Sequence, residues 1–241
     1  MRILVLQHIP IEHPGIFRDF LAADGIAWDA VELDAGEPIP PLGNYDALWV
    51  MGGPMDVWQE DAHPWLRPEK AAIREAVAER AMPYLGLCLG HQLLGEAMGG
   101  RVGPMRQPEV GILDVALTGA GRRDPFFTGL PQQFRALQWH GAEVAAAPPG
   151  ATVLAQSPAC AIQAMRVGER AYGVQYHVEL TGDTVREWGA VPIYQCALDQ
   201  ALGPGALAGF EQETARHMPD FNRHARRLYD NFMAMMRNAV G

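Results

Sequence analysis

Apolar positions in this 241-residue chain alternate between short unbroken runs and helical stripes. Ile3 to Leu6 predicts a buried strand. Ile16, Phe20 and Leu21 then share one face of a helix that stops near Gly25, and Trp28 to Leu33 predicts a second strand. Tyr45 to Met51 predicts a third. Leu66 to Ala81 is rich in Ala, Glu, Lys and Arg, with Ile73 and Val77 four apart, so the spacing predicts a helix ended by Met82-Pro83. Tyr84 to Cys88 then runs as a short apolar strand straight into His91 to Met98, where Leu93, Leu94 and Met98 recur at helical spacing. That succession requires a sharp turn at Cys88.

Downstream, residues 110 to 118, 134 to 139, 152 to 155, 160 to 166 and 171 to 176 are β-rich runs separated by Gly, Pro and polar turns, the pattern of hairpins or a meander. From Thr181 the character becomes helical, and Phe221, Ala225, Leu228, Phe232 and Met235 form one apolar stripe. The whole predicts an α/β fold: a doubly wound, mainly parallel sheet with a β-rich insertion and a C-terminal helical extension. With no repeat or flexible linker, the expectation is a single domain, its core about 1–185 and its extension about 186–241.

With 49% hydrophobic and 20% charged residues the chain can bury a sizeable core, which excludes disorder. Lys+Arg at 19 against Asp+Glu at 28, a net charge of -9, repels a polyanion, so no nucleic-acid partner is expected. Cysteines at 88, 160 and 196 form no CxxC and no disulfide framework, which indicates a reducing compartment. The N-terminal MRILVLQH lacks a cleavage pattern and reads as a strand, and no apolar run approaches the roughly 18 residues of a membrane span. A cytoplasmic protein without a membrane partner is the expectation.

Chemistry concentrates in Gly86-Leu87-Cys88-Leu89-Gly90-His91-Gln92. A residue thrown out on a tight strand-to-helix turn is crowded by its neighbours, and glycines on either side relieve that crowding. The turn also sets Cys88 at a helix N-terminus, where free N–H groups stabilise a thiolate nucleophile. Such a nucleophile needs a base, and the base an orienter. Gly173-Val174-Gln175-Tyr176-His177-Val178-Glu179 supplies both, because residues two apart on an extended segment point the same way. Acyl transfer further needs donors for a developing oxyanion. The Gly52-Gly53 turn closing the third strand lets backbone N–H groups approach a ligand, and the N–H of Leu89 is the second candidate. His8, His13 and His63, with Glu12, Glu60 and Asp61 nearby, lack metal-ligand spacing and read as solvated loop residues, so neither metal nor cofactor is assigned. Arg223, His224, Arg226 and Arg227 read as a solvated helix face, and Cys160 and Cys196 as packing residues.

MGGP, then GLCLGHQ, then GVQYHVE about ninety residues further on, resembles the class I (triad) glutamine amidotransferases, and most the standalone relatives of the GMP synthase glutaminase domain. The resemblance spans roughly residues 1–180 and implies a flavodoxin-like fold. It implies that Cys88 is the nucleophile, His177 the base and Glu179 its orienter, with Gly53 and Leu89 as the oxyanion hole. It further implies that Gly52, Gln92 and the run Gln138-Trp139-His140-Gly141 hold a glutamine-like substrate. The chain departs from the common family pattern at Val178, often Pro, and at Ala142, often Asp. It has neither a GxxxxGK[ST] loop nor a pyrophosphatase loop of the SGGxDS type. Ammonia would therefore pass to a separate synthase or acceptor protein or be released. The remaining alternatives are cleavage of γ-glutamyl conjugates and a non-catalytic regulatory module, against which the intact triad argues.

Overall fold

The computed structural model describes residues 1–237. The chain runs β1 (Arg2–Gln7), α1 (Phe17–Ala23), β2 (Ala27–Glu32), β3 (Ala47–Val50), α2 (Leu66–Arg74), β4 (Tyr84–Leu87), α3 (Leu89–Ala97), β5 (Arg101–Leu117), β6 (Gln133–Ala146), β7 (Thr152–Gln156), β8 (Ala164–Val167), β9 (Ala171–Val174), α4 (Thr184–Gly189), α5 (Pro192–Leu202) and α6 (Leu207–Arg237). All these strands join one sheet in the order β2-β1-β3-β4-β9-β8-β7-β5-β6. The first five are parallel, and the last four attach as antiparallel neighbours.

Strands β1, β3 and β4 are apolar on both faces because helices cover both. Ile3, Val5 and Trp49 pack against α1 and the second half of α6, whereas Leu4, Leu6, Leu48 and Val50 face α2 and α3. The doubly wound core is therefore as the periodicity predicts. It carries the loops after β1, β3, β4 and β9 to one edge of the sheet, the edge where open α/β sheets bind ligands.

Three boundaries differ from expectation. The helix expected over 66–81 is α-helical only to Arg74 and widens into a π-helical turn over Glu75–Glu79. Pro83 disfavours a helical Met82, and Ala81, at φ 47°, turns the chain so that Met82 enters the core. Strands β5 and β6 are longer than the apolar runs 110–118 and 134–139, because their outer halves, where Gly, Pro and charged residues interrupt the apolar pattern, pair as well around a register shift between Pro104 and Glu109. Of the run 160–166 only its end is strand, since Cys160 closes a turn with Ser157.

The helical extension is present, and its stripe divides. Phe221 joins α4, α5 and Trp139 in a satellite core, while Ala225, Leu228 and Phe232 lie on the sheet; Met235 is only half-buried, and Met233 and Met236 take the buried places. Cys160 is buried as expected, and burial pushes its thiol up to about 12. Cys196 is not a packing residue: it sits exposed on the outer face of α5. The basic run is solvated at Arg223 and Arg227, but Arg226 lies over the rings of Phe20 and Tyr229, and His224 packs edge-on against Phe134.

Candidate active site

Between the end of β4 and the start of α3 stands a single residue, Cys88, at φ 50° and ψ -103°. A side chain in that conformation is strained, and strain of this kind gathers at functional positions. The flanking glycines are sterically required. A Cβ on Gly86 would lie 2.4 Å from the carbonyl oxygen of Gly90, and one on Gly90 would lie 2.1 Å from that of Val50. The elbow is pinned by the Cys88 N–H donating to Val174 O at 2.8 Å and the Gly90 N–H donating to Met51 O at 3.1 Å.

Beyond β9 the chain bends at Gln175 and Tyr176, and His177 is then held by two backbone hydrogen bonds to Leu137 on β6. Its Nδ1 donates to Glu179 Oε1 at 2.6 Å, which leaves Nε2 to interact with the sulfur of Cys88. Burial opposes the imidazolium, but the charges of Glu179 and Cys88 outweigh it and hold the His177 pKa well above its ordinary value. Val178, where the family commonly has Pro, donates its N–H to Glu179 Oε2 at 2.9 Å, a bond that proline could not make. Trp188 of α4 closes edge-on over the imidazole, 4.6 Å between centroids.

Cys88 opens into a cavity of about 810 Å³. Its floor is Cys88, Leu89 and Gly53, one wall comes from β5 and β6, and the opposite wall from Ile193, Tyr194 and neighbours on α5. The N–H of Leu89 begins α3 and has no acceptor within the helix. Of the other residues singled out, Gln92, Trp139, His140 and Gly141 line the cavity, whereas Gly52 and Gln138 lie behind its wall. Gln138 instead meets His140 Nε2 through its Oε1 at 3.0 Å. Gln92 donates to Gln175 Oε1 at 3.0 Å, and Gln175 Nε2 reaches the Cys88 sulfur at 3.5 Å. His91 does not face the cavity; burial lowers its pKa to about 4, and its Nε2 bonds Ile162 O.

Sequence patterns read the first loop wrongly. His8 and Glu12 are buried rather than solvated, while Asp61 is exposed and His13, Glu60 and His63 are half-buried. Glu12 accepts the hydroxyl hydrogen of Tyr194, and burial raises its pKa against the opposing effects of His177 and Tyr194. Tyr194→Phe is expected to cost about 1–3 kcal/mol, the penalty for a buried acceptor losing its donor. Denaturant unfolding checks this, and the loss should shrink in a Glu12→Gln background.

The geometry can be set beside known proteins. Residues 22–189 match the model of the family Glutamine amidotransferase class-I. The chain belongs to the class I glutamine amidotransferases. Over 236 residues, 95% of this chain and 96% of the other, it is 31% identical to a glutamine amidotransferase-like protein, YfeJ, of Salmonella typhimurium. It is 39% identical over 109 residues to one subunit of the glutamine-hydrolyzing GMP synthase of Pyrococcus abyssi, covering 45% of this chain and 56% of that one. The crystal structure of a glutamine amidotransferase from Thermotoga maritima superposes with a TM-score of 0.85 at 26% identity, covering 96% and 97% of the two chains. The amidotransferase fold inferred from the three motifs is thus the fold of this chain. No described helix of this amidotransferase is long and apolar enough to cross a membrane.

Proposed function

We propose that this class I amidotransferase is a cysteine hydrolase acting on the γ-amide of glutamine or a γ-glutamyl compound. Cys88 attacks the γ-carbonyl, and the resulting oxyanion is held by the N–H groups of Gly53 and Leu89. His177, oriented by Glu179, protonates the departing nitrogen as the C–N bond breaks, leaving a γ-glutamyl thioester. Water, deprotonated by His177, then attacks the thioester and releases glutamate and the thiol. Gln92, Trp139, His140 and Gly141 face the space where the rest of the substrate would lie.

What supports this reading is one convergence: a sulfur on a strained elbow lines the cavity, and a carboxylate-oriented imidazole interacts with it from behind the cavity lining, although 89 positions separate Cys88 from His177 in the chain. The chain acts as a single domain, because the extension builds one wall of that cavity. For the glutaminase version, the partner would be a separate protein that consumes ammonia, as the division of the related GMP synthases into separate polypeptides suggests.

The size of the cavity favours a second version. About 810 Å³ is the range of pockets for drug-sized ligands, and exposed Ile193 offers an apolar lip to a leaving group larger than ammonia. Turnover of glutamine is therefore to be compared with a panel of γ-glutamyl dipeptides and γ-glutamyl amines, each with wild type and Cys88→Ala. Preference for the conjugates selects the peptidase-like version, and preference for glutamine the glutaminase. Equal turnover by wild type and variant on every substrate would reject both.

A further inference from the structure

His8, in the loop after β1, takes no part in the reaction above, yet it is fully buried beside the Gly52-Gly53 turn. Its Nδ1 lies 2.7 Å from the carbonyl oxygen of Gly52, and its Nε2 lies 2.9 Å from Glu69 Oε1. A carbonyl oxygen can only accept, so Nδ1 donates to Gly52 and the other ring nitrogen engages the carboxylate. Glu69 is itself fully buried on α2, and Trp65 stacks on the imidazole at 5.3 Å, so the ring is held on three sides. Burial disfavours the imidazolium, but the Glu69 carboxylate overrides it and the His8 pKa is raised.

The consequence follows from peptide geometry. No described peptide bond is cis, so the C=O of Gly52 and the N–H of Gly53 point in opposite directions across one planar group. Drawing the oxygen inward to His8 turns the N–H outward, towards the cavity that Gly53 lines. A Gly-Gly peptide has no side chains to fix that plane and would otherwise rotate freely. A side chain on either would displace a neighbour: a Cβ on Gly52 would meet Glu12 Oε2 at 2.5 Å, and one on Gly53 would meet the sulfur of Met55 at 2.7 Å and Cβ of His8 at 2.9 Å.

We propose that His8, anchored by Glu69, is a positioning residue that locks the Gly52–Gly53 peptide with the Gly53 N–H aimed at the oxyanion. It rests on the acyl-transfer reading, and it adds a relay, Glu69 to His8 to the Gly52 carbonyl, that acts through the backbone without touching substrate. Orientation of one donor affects steps that build an oxyanion and spares those that do not.

The test compares two reactions of the same sulfur in wild type, His8→Gln and Glu69→Gln. Acylation by p-nitrophenyl acetate passes through a tetrahedral oxyanion, whereas alkylation by iodoacetamide does not. Deleting an oxyanion donor outright costs about 10²–10³-fold, so misorienting one is expected to slow acylation by about ten- to a hundredfold. Alkylation should stay within about twofold, and for glutamine kcat should fall with KM little changed. Should His8→Gln fail to fold, Glu69→Gln carries the same comparison with the imidazole retained, and a smaller loss is expected. Acylation and alkylation falling together, or acylation unchanged, would overturn the proposal. Glutamine left untouched by a wild type that the ester acylates normally would remove the substrate reading, and the ratio of the two rates would still decide the role of His8.

Discussion

Cys88→Ala is expected to lower hydrolysis of the best γ-glutamyl substrate by about 10⁴–10⁶-fold, since removing a nucleophile disables every other member of its catalytic unit. Binding should persist, because Gln92, Trp139 and His140 remain in the cavity wall. Calorimetric titration with glutamine and single-turnover kinetics separate the two effects. A loss of less than about tenfold would place the nucleophile elsewhere. The same position makes an unusual stability prediction. With φ 50° and ψ -103°, residue 88 occupies a conformation that glycine adopts without penalty and alanine does not. Cys88→Gly, equally inactive, is therefore expected to unfold at higher denaturant than Cys88→Ala, by about 1–3 kcal/mol. The reverse order would mean that the elbow is unstrained.

The second large effect is on folding. Gly90→Ala sets a Cβ 2.1 Å from the carbonyl oxygen of Val50 and 2.8 Å from its carbon, backbone atoms of the central strand β3 that have nowhere to move. A loss of about 4 kcal/mol or more is expected, enough to empty the soluble fraction of a marginally stable domain. Gly103→Ala is the matched control: nothing lies within 4 Å of its Cβ, so a change within about 0.5 kcal/mol is expected. Thermal melts of the two variants side by side check both values. Near-equal stability would mean that α3 does not sit against β3 as closely as described.

What could be read from sequence is what is local. GLCLGHQ is legible because the glycines that relieve the elbow sit two residues either side of the sulfur, and His177 with Glu179 because extended backbone places residues two apart on one side. The parallel core is legible for the same reason: Ile3 to Leu6 or Ala47 to Val50 must be buried on both faces. The residues that were misread or passed over make their contacts across long separations. Glu12 meets Tyr194 from 182 positions away, Gln175 reaches Cys88 across 87, and His8 meets Glu69 across 61. A polar residue in a loop is assigned to solvent unless its partner is known, and no periodicity names a partner on another element. Trp188 carried only an apolar signal, although its place over the imidazole is specific. Cys196 failed in the opposite sense, because a thiol has no patterning that distinguishes the outer face of a helix from the inner one.

The second half of α6 shares with α1 the cover over Ile3, Val5 and Trp49, so β1 is shielded in part by a segment far downstream in the chain. Until that segment is made, α1 covers only part of this side of the sheet, and the rest stays greasy. A nascent chain stalled before residue 225 would have its elbow already encoded, yet would lack the lid that keeps that side from sticking to its neighbours. Dependence on holdase chaperones should accordingly persist until the segment from Ala225 to Phe232 has emerged and fall thereafter.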